Sequence, residues 1–235
     1  MSLLLRCGPA VAALVVVASV SLPNANAAPA PTGTVVGKVS VTEKGASAKD
    51  AAGIVVYVIG YTSAPPTKAA EMRQQGHQFT PLLLPVLVGQ PLSFPNLDWD
   101  TSHNVFSTDP RFNLGQYRAG RGAPPSQTFD TPGPVEIFCN IHPDMAATVL
   151  VLPNSSFATT AADGSFAITG VTPGTWEVYA YDRHAVVPAH TSVTVAASAT
   201  STVAFALDRT RFRFDHQTWE GTDYADHGYH APGAP

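Results

Sequence analysis

The apolar residues of this 235-residue chain recur with a period of two, in runs too short for helices and separated by turn residues. Residues 33–41 (GTVVGKVSV) alternate, and so does the run at 53–59. Further short runs lie at 103–107, 135–138 and 147–152, and again at 165–168, 176–181, 192–195 and 203–207. Residues 79–88 are apolar but broken by Pro81 and Pro85. Gly89-Gln90 reads as a turn before a strand at 91–94, and 126–129 reads as one more short strand. Strands of this length are stable only when one face is buried against another sheet, so an all-β sandwich fold is expected. The one segment expected to depart from this is 67–75, which could form a helical turn or two.

The rhythm changes once along the chain. After Pro153-Asn154-Ser155-Ser156, turns at Ala162-Asp163-Gly164 and Pro173-Gly174-Thr175 punctuate a second set of strands. The expected layout is a first sandwich at 72–153 and a second, smaller one at 155–208, with the strands at 33–60 belonging to the second. Residues 209–235 lose the alternation and are rich in aromatics, histidine and charge. They are expected to form a strap or tail.

The first 27 residues read as an export signal, giving a periplasmic or secreted protein. Arg6 supplies the positive charge, 11–22 the apolar run and Ala25-Asn26-Ala27 the small residues for cleavage. The run is short for a membrane span, and none is expected later. Removing residues 1–27, with Arg6 as their one charge, leaves 208 residues and moves the net charge from −4 to −5. That mild acidity argues against a nucleic-acid partner. Cys7 leaves with the signal, so Cys139 becomes the single thiol of an exported protein. An unpaired thiol in an oxidising compartment calls for burial or for a bound metal.

The local sequence answers that demand. Cys139-Asn140-Ile141-His142-Pro143-Asp144-Met145 sets a thiol, an imidazole and a thioether three residues apart, and His103 opens an earlier strand. Thiolate and thioether are soft donors that favour Cu(I), and imidazole suits both copper oxidation states. His103, Cys139 and His142 with an axial Met145 therefore match a single type 1 copper site. A structural zinc site would more often use paired cysteines and no methionine.

Those residues resemble the cupredoxin family, the blue-copper proteins plastocyanin, pseudoazurin and amicyanin. The short ligand loop with Pro143 after the second histidine looks most like that of amicyanin, and His103-Asn104-Val105 is similar to the first-histidine segment of plastocyanin. The resemblance covers about 79–152 and implies a Greek-key cupredoxin sandwich. It also implies that Asn104 ties the two ligand segments together and donates to the cysteine sulfur. The whole chain resembles exported bacterial methylamine-utilisation or plastocyanin-like proteins. Those place such a unit beside a transthyretin-like, carboxypeptidase-regulatory-like sandwich. Asp163-Gly164-Ser165-Phe166 and Pro173-Gly174-Thr175 are similar to the turns of that module.

The implied function is single-electron transfer by an exported protein that is not an enzyme, because a four-ligand site leaves no open position for substrate. A dehydrogenase or a c-type cytochrome is the implied redox partner. Two alternatives stand beside it: a periplasmic copper-handling protein that carries or sequesters the metal, and a structural or surface-binding β-sandwich protein. No nucleophile elbow, His-Glu-x-x-His, phosphate loop or dinucleotide fingerprint occurs. The remaining histidines receive plainer readings. His77 caps the strand that follows it, and His184 and His190 sit in loops. His216, His227 and His230 belong to the tail, where a second metal site at Asp226, His227 and His230 is the less favoured reading. Asp144 reads as a solvated loop acid and Pro143 as a stiffener of the loop. Asn154-Ser155-Ser156 is a glycosylation sequon.

Overall fold

The computed structural model describes residues 30–211 and 214–224. The signal segment and the histidines at 227 and 230 lie outside them. The described residues form strands and turns with no α-helix. None of their elements is a helix long and apolar enough to cross a membrane.

Two groups of sheets account for the strands. In the first, Ser102–Thr108 lies between Arg111–Arg118 and Gly133–Phe138. Ala146–Leu152 and Leu83–Leu87 complete this five-stranded sheet. A three-stranded sheet of Ser126–Gln127, Leu92–Ser93 and Ala70–Glu71 stands with it. Between them Met72, Phe79, Leu92, Phe94, Val105, Ile137 and Val149 are fully or almost fully buried. Each such side chain contributes about 1.5–3 kcal/mol when taken from water. The alternation of the sequence places them there, because every second residue of a strand faces the same side.

The second group joins distant parts of the chain. Gly33–Glu43 pairs antiparallel with Ser165–Val171 and parallel with Thr200–Arg209. Val55–Ile59 pairs with Phe157–Thr159 and with Gly174–Tyr181, which in turn pairs with Ala189–Val195. Val35, Val39, Ile54, Val56, Val58, Ile168, Val178 and Phe205 share one core. His103 and Cys139 are therefore enclosed in sequence between two parts of one sandwich. A smaller cluster of Val55, Leu150, Leu152 and Tyr181 joins the two groups.

Two features depart from the sequence reading. Residues 67–75 form no helical turn. Ala70–Glu71 and Arg73–Gln74 are extended, and Met72 and Gln74 are buried while Glu71, Arg73 and Gln75 are exposed. That is the period of a strand, and the pairing of Ala70 with Leu92 secures it. Arg111–Arg118 is a strand that the hydrophobic pattern did not announce. It is an edge strand, half polar, with a register irregularity between Asn113 and Gln116 and Gly115 at φ 75°.

Candidate metal centre

Four donor-bearing side chains come from two places in the first sandwich. His103 is the second residue of Ser102–Thr108, and Cys139 follows directly after Gly133–Phe138. These strands are neighbours, with Phe138 opposite Phe106, so their ends meet at one rim. A tight loop then returns the chain. Met145 N–H donates to His142 O at 3.1 Å, and Cys139 N–H donates to Met145 O at 3.2 Å, before Ala146–Leu152 begins.

The result is a convergence of ring nitrogens on a thiol. His103 Nδ1 lies 3.2 Å from His142 Nδ1, and Cys139 Sγ lies 3.6 Å from the same nitrogen. The three donor atoms all fall within 4.8 Å of one another. Metal–nitrogen and metal–sulfur bonds of about 2.0–2.3 Å, at trigonal or tetrahedral angles, separate donors by about 3.3–3.8 Å, which the two separations from His142 Nδ1 approximate. His103 and Cys139 are fully buried, His142 is partly exposed, and Met145 is buried in the same core cluster as Cys139.

Asp98 orients the first histidine. Its Oδ2 accepts a hydrogen bond from His103 Nε2 at 2.8 Å. A carboxylate can only accept here, so the ring proton sits on Nε2 and the Nδ1 lone pair faces the other donors. Burial by itself raises the Asp98 carboxyl. The N–H of Gly76, the His103 ring and the N–H of His77 outweigh that and hold it below its ordinary value. Sequence reasoning missed Asp98, because an acid five residues before a histidine carries no signal until a loop folds it back.

Asn104 is buried and links both ligand segments. Its Oδ1 accepts from the N–H of Asn140 at 3.1 Å, and its Nδ2 donates to Asn113 Oδ1 and to Gly115 O at 2.8 and 2.9 Å. The backbone N–H groups of Ile141, Asn104 and His142 act electrostatically on the Cys139 thiol, each lowering it. Burial pushes the Cys139 thiol up, and these three donors oppose it. They would favour a thiolate once a cation stood beside it. His142 is pushed down to about 4, by burial first and then by the neighbouring His103 and His77 rings, against the pull of Asp98. It is therefore neutral at pH 7, the form that ligates.

The other histidines fall in two groups. His77 does more than cap a strand, since its ring centroid stands 4.7 Å from that of His142 and 5.8 Å from that of His103. His216 stacks on Phe138 at 4.1 Å, and its Nε2 lies 2.8 Å from Tyr224 Oη. Tyr224 OH donates to Cys139 O at 2.6 Å, Trp219 N–H donates to Asn140 Oδ1 at 2.5 Å, and Asn140 Nδ2 donates to Glu220 Oε2 at 3.2 Å. Residues 214–224 thus form a strap that grips the start of the ligand loop. Arg183 grips its end, donating to Ala146 O at 3.2 Å. His184 lies in a turn, bonded to Arg211 O, and lines a cavity with Pro143, Asp144 and Met145, whereas His190 sits in the strand Ala189–Val195 and not in a loop, bonded to Glu177. Asn154 of the sequon is buried, with its amide nitrogen donating to Val58 O and Tyr61 O at 2.9 Å, so it presents no acceptor for a glycan in the folded chain.

Comparison with known proteins finds one family model and several solved structures that are similar in part. A family model described as polysaccharide lyase family 4, domain II, matches residues 152–203, in the second sandwich. That description differs from the carboxypeptidase-regulatory-like module that the turns suggest. Among solved structures, a copper-containing nitrite reductase from Thermus scotoductus SA-01 is similar at 24% identity and a TM-score of 0.34. The match covers 41% of this chain and 25% of that one, so this chain spans about a quarter of that relative's length. A purple cupredoxin from Nitrosopumilus maritimus is similar at 22% identity and 0.31, covering 35% and 99%. Amicyanin from Paracoccus versutus is similar at 18% identity and 0.33, covering 41% and 97%. No curated protein matches the sequence. At such identities and TM-scores no chemistry carries across, and what His103, Cys139 and His142 can do rests on their own geometry.

Proposed function

We propose that the protein is an exported type 1 copper protein that passes single electrons between redox partners. The observation that carries this reading is the convergence of His103 Nδ1, Cys139 Sγ and His142 Nδ1 at one buried rim, with Met145 in the same core. Two imidazoles, one thiolate and a thioether suit copper in both of its common oxidation states better than they suit zinc. Copper held there supplies reversible one-electron chemistry.

The chain's own residues prepare the site. Asp98 fixes the tautomer of His103, and Asn104 couples the two ligand segments. The three N–H groups around Cys139 stabilise negative charge on sulfur. Ligands locked before the metal arrives rearrange little between oxidation states, which keeps electron exchange fast. Four protein ligands leave no position for a substrate, which supports relay rather than catalysis. Leu97 and Trp99 flank Asp98 and are exposed, Trp99 at 78%, so an apolar surface adjoins the loop that holds His103. A c-type cytochrome or a dehydrogenase would dock against such a face for the seconds or less that transfer requires.

Absorption and EPR spectra after Cu(II) is added to residues 28–235 test the proposal. An intense visible thiolate-to-copper band with narrow copper hyperfine splitting is expected, lost in Cys139→Ser and altered in Met145→Ala. A colourless protein that takes up no copper overturns it.

A further inference from the structure

His77 is an imidazole with no evident structural task. It lies on a turn after Gly76, at φ 57°, a conformation that Asn and Asp also adopt. The turn needs the backbone N–H groups of Gly76 and His77, which hold Asp98 at 2.9 and 3.3 Å. It does not need the ring. The His77 side chain is exposed, yet its ring stands 4.7 Å from that of His142, and the His142 ring stands 4.9 Å from that of the fully buried His103. Three imidazoles therefore descend from solvent to the thiol of Cys139, exposed, partly exposed and buried in order.

We infer that His77 is a transient copper ligand that captures the ion at the surface and hands it to His142, His103 and Cys139. This inference rests on the copper reading given above. Capture is a ligand exchange: a nitrogen of the His77 ring displaces one water from aqueous Cu(II). In the hand-over His142 and His103 displace further waters, the Cys139 thiol gives its proton to solvent as its sulfur bonds the ion, and His77 is released. No electron moves in these steps. The arrangement solves a difficulty of the site itself, since a fully buried thiol and a fully buried imidazole cannot meet a hydrated ion directly. His142 alone bridges inside and outside, and His77 doubles the exposed imidazole beside it.

Stopped-flow mixing of the apo protein with Cu(II) sulfate, followed at the thiolate-to-copper band, tests this. His77→Asn keeps the turn and both N–H groups that hold Asp98. It is expected to slow loading severalfold, because a copper ion held on His77 meets His142 at a raised effective concentration. The final spectrum and the affinity, measured against a competing chelator, should match the wild type. His190→Asn, which removes an exposed imidazole stacked on Tyr179 in the other sandwich, should load at the wild-type rate. Loading of His77→Asn at an equal or higher rate overturns the inference and makes His77 a shield. A changed final spectrum or affinity also overturns it, because the ring would then belong to the resident site. A wild-type protein that loads no copper at all removes the copper reading together with this one.

Discussion

Asp98 Oδ2 sits 2.8 Å from His103 Nε2, and this one contact decides which ring nitrogen faces Cys139. The carboxylate is itself held by two backbone N–H groups of the 76–77 turn, so orientation passes from a loop to His103. Asp98→Ala should lower copper affinity by about 10–100-fold, the usual effect of losing a carboxylate behind a ligating histidine. Competition against a chelator of known affinity reads it directly. Unchanged affinity would mean that packing alone orients His103.

Copper uptake should release a proton at pH 7. Burial, the largest influence on the Cys139 thiol, raises it above its ordinary value, so the apo protein is protonated there and ligation must expel that proton. His142, pushed down to about 4, contributes none at this pH. A weakly buffered indicator should report about one proton per copper. Cys139→Ser should release none, and a wild-type protein that released none either would place an ionised thiol in the apo state.

The stability of the apo protein should fall in mild acid. His142 has an ordinary value of 6.5 and a folded value of about 4. Between those values the unfolded chain binds the proton and the folded one does not, so stability is complete above pH 6.5 and declines as pH falls toward 4. His216, also lowered chiefly by burial, acts with the same sign. The urea midpoint should drop between pH 7 and pH 4.5, and His142→Asn should flatten the drop. Parallel curves for the two proteins would show that other groups set it.

The strap should matter to the site as well as to the fold. Tyr224→Phe deletes the hydroxyl that donates to Cys139 O and meets His216 Nε2. A neutral hydrogen bond of this kind contributes about 0.5–1.5 kcal/mol. A lowered urea midpoint is expected, with a shift in the position or intensity of the thiolate-to-copper band. A band identical to wild type, with only the midpoint lowered, would make the strap a structural cover and no more.

Most strands were legible in the sequence because their alternation is local. GTVVGKVSV shows its buried face without reference to anything else, and Gly33–Glu43 formed where the pattern put it. Cys139, His142 and Met145 were legible for a similar reason, since one short loop carries all three. Arg111–Arg118 was not legible. Its core-facing residues Phe112, Leu114 and Tyr117 fall out of alternation at the irregularity between Asn113 and Gln116, so the strand is defined by its pairing with Ser102–Thr108 more than by its own pattern. The extended form of residues 70–74 likewise depends on partners, Leu92 and Ser93 for Ala70–Glu71, and Phe79 and Thr80 for Arg73–Gln74.

The sequence by itself therefore determined the β class of the chain and the donor chemistry of one loop, because both are written in residues a few positions apart. Only the tertiary structure decided that Asp98 turns His103, that Asn104 bonds the N–H of Asn140, that His77 stands over His142, and that Tyr224 reaches back 85 residues to Cys139 O. Hydrogen bonds and ring contacts act over a few ångströms, and the backbone between these partners carries no trace of them until the sheets have closed.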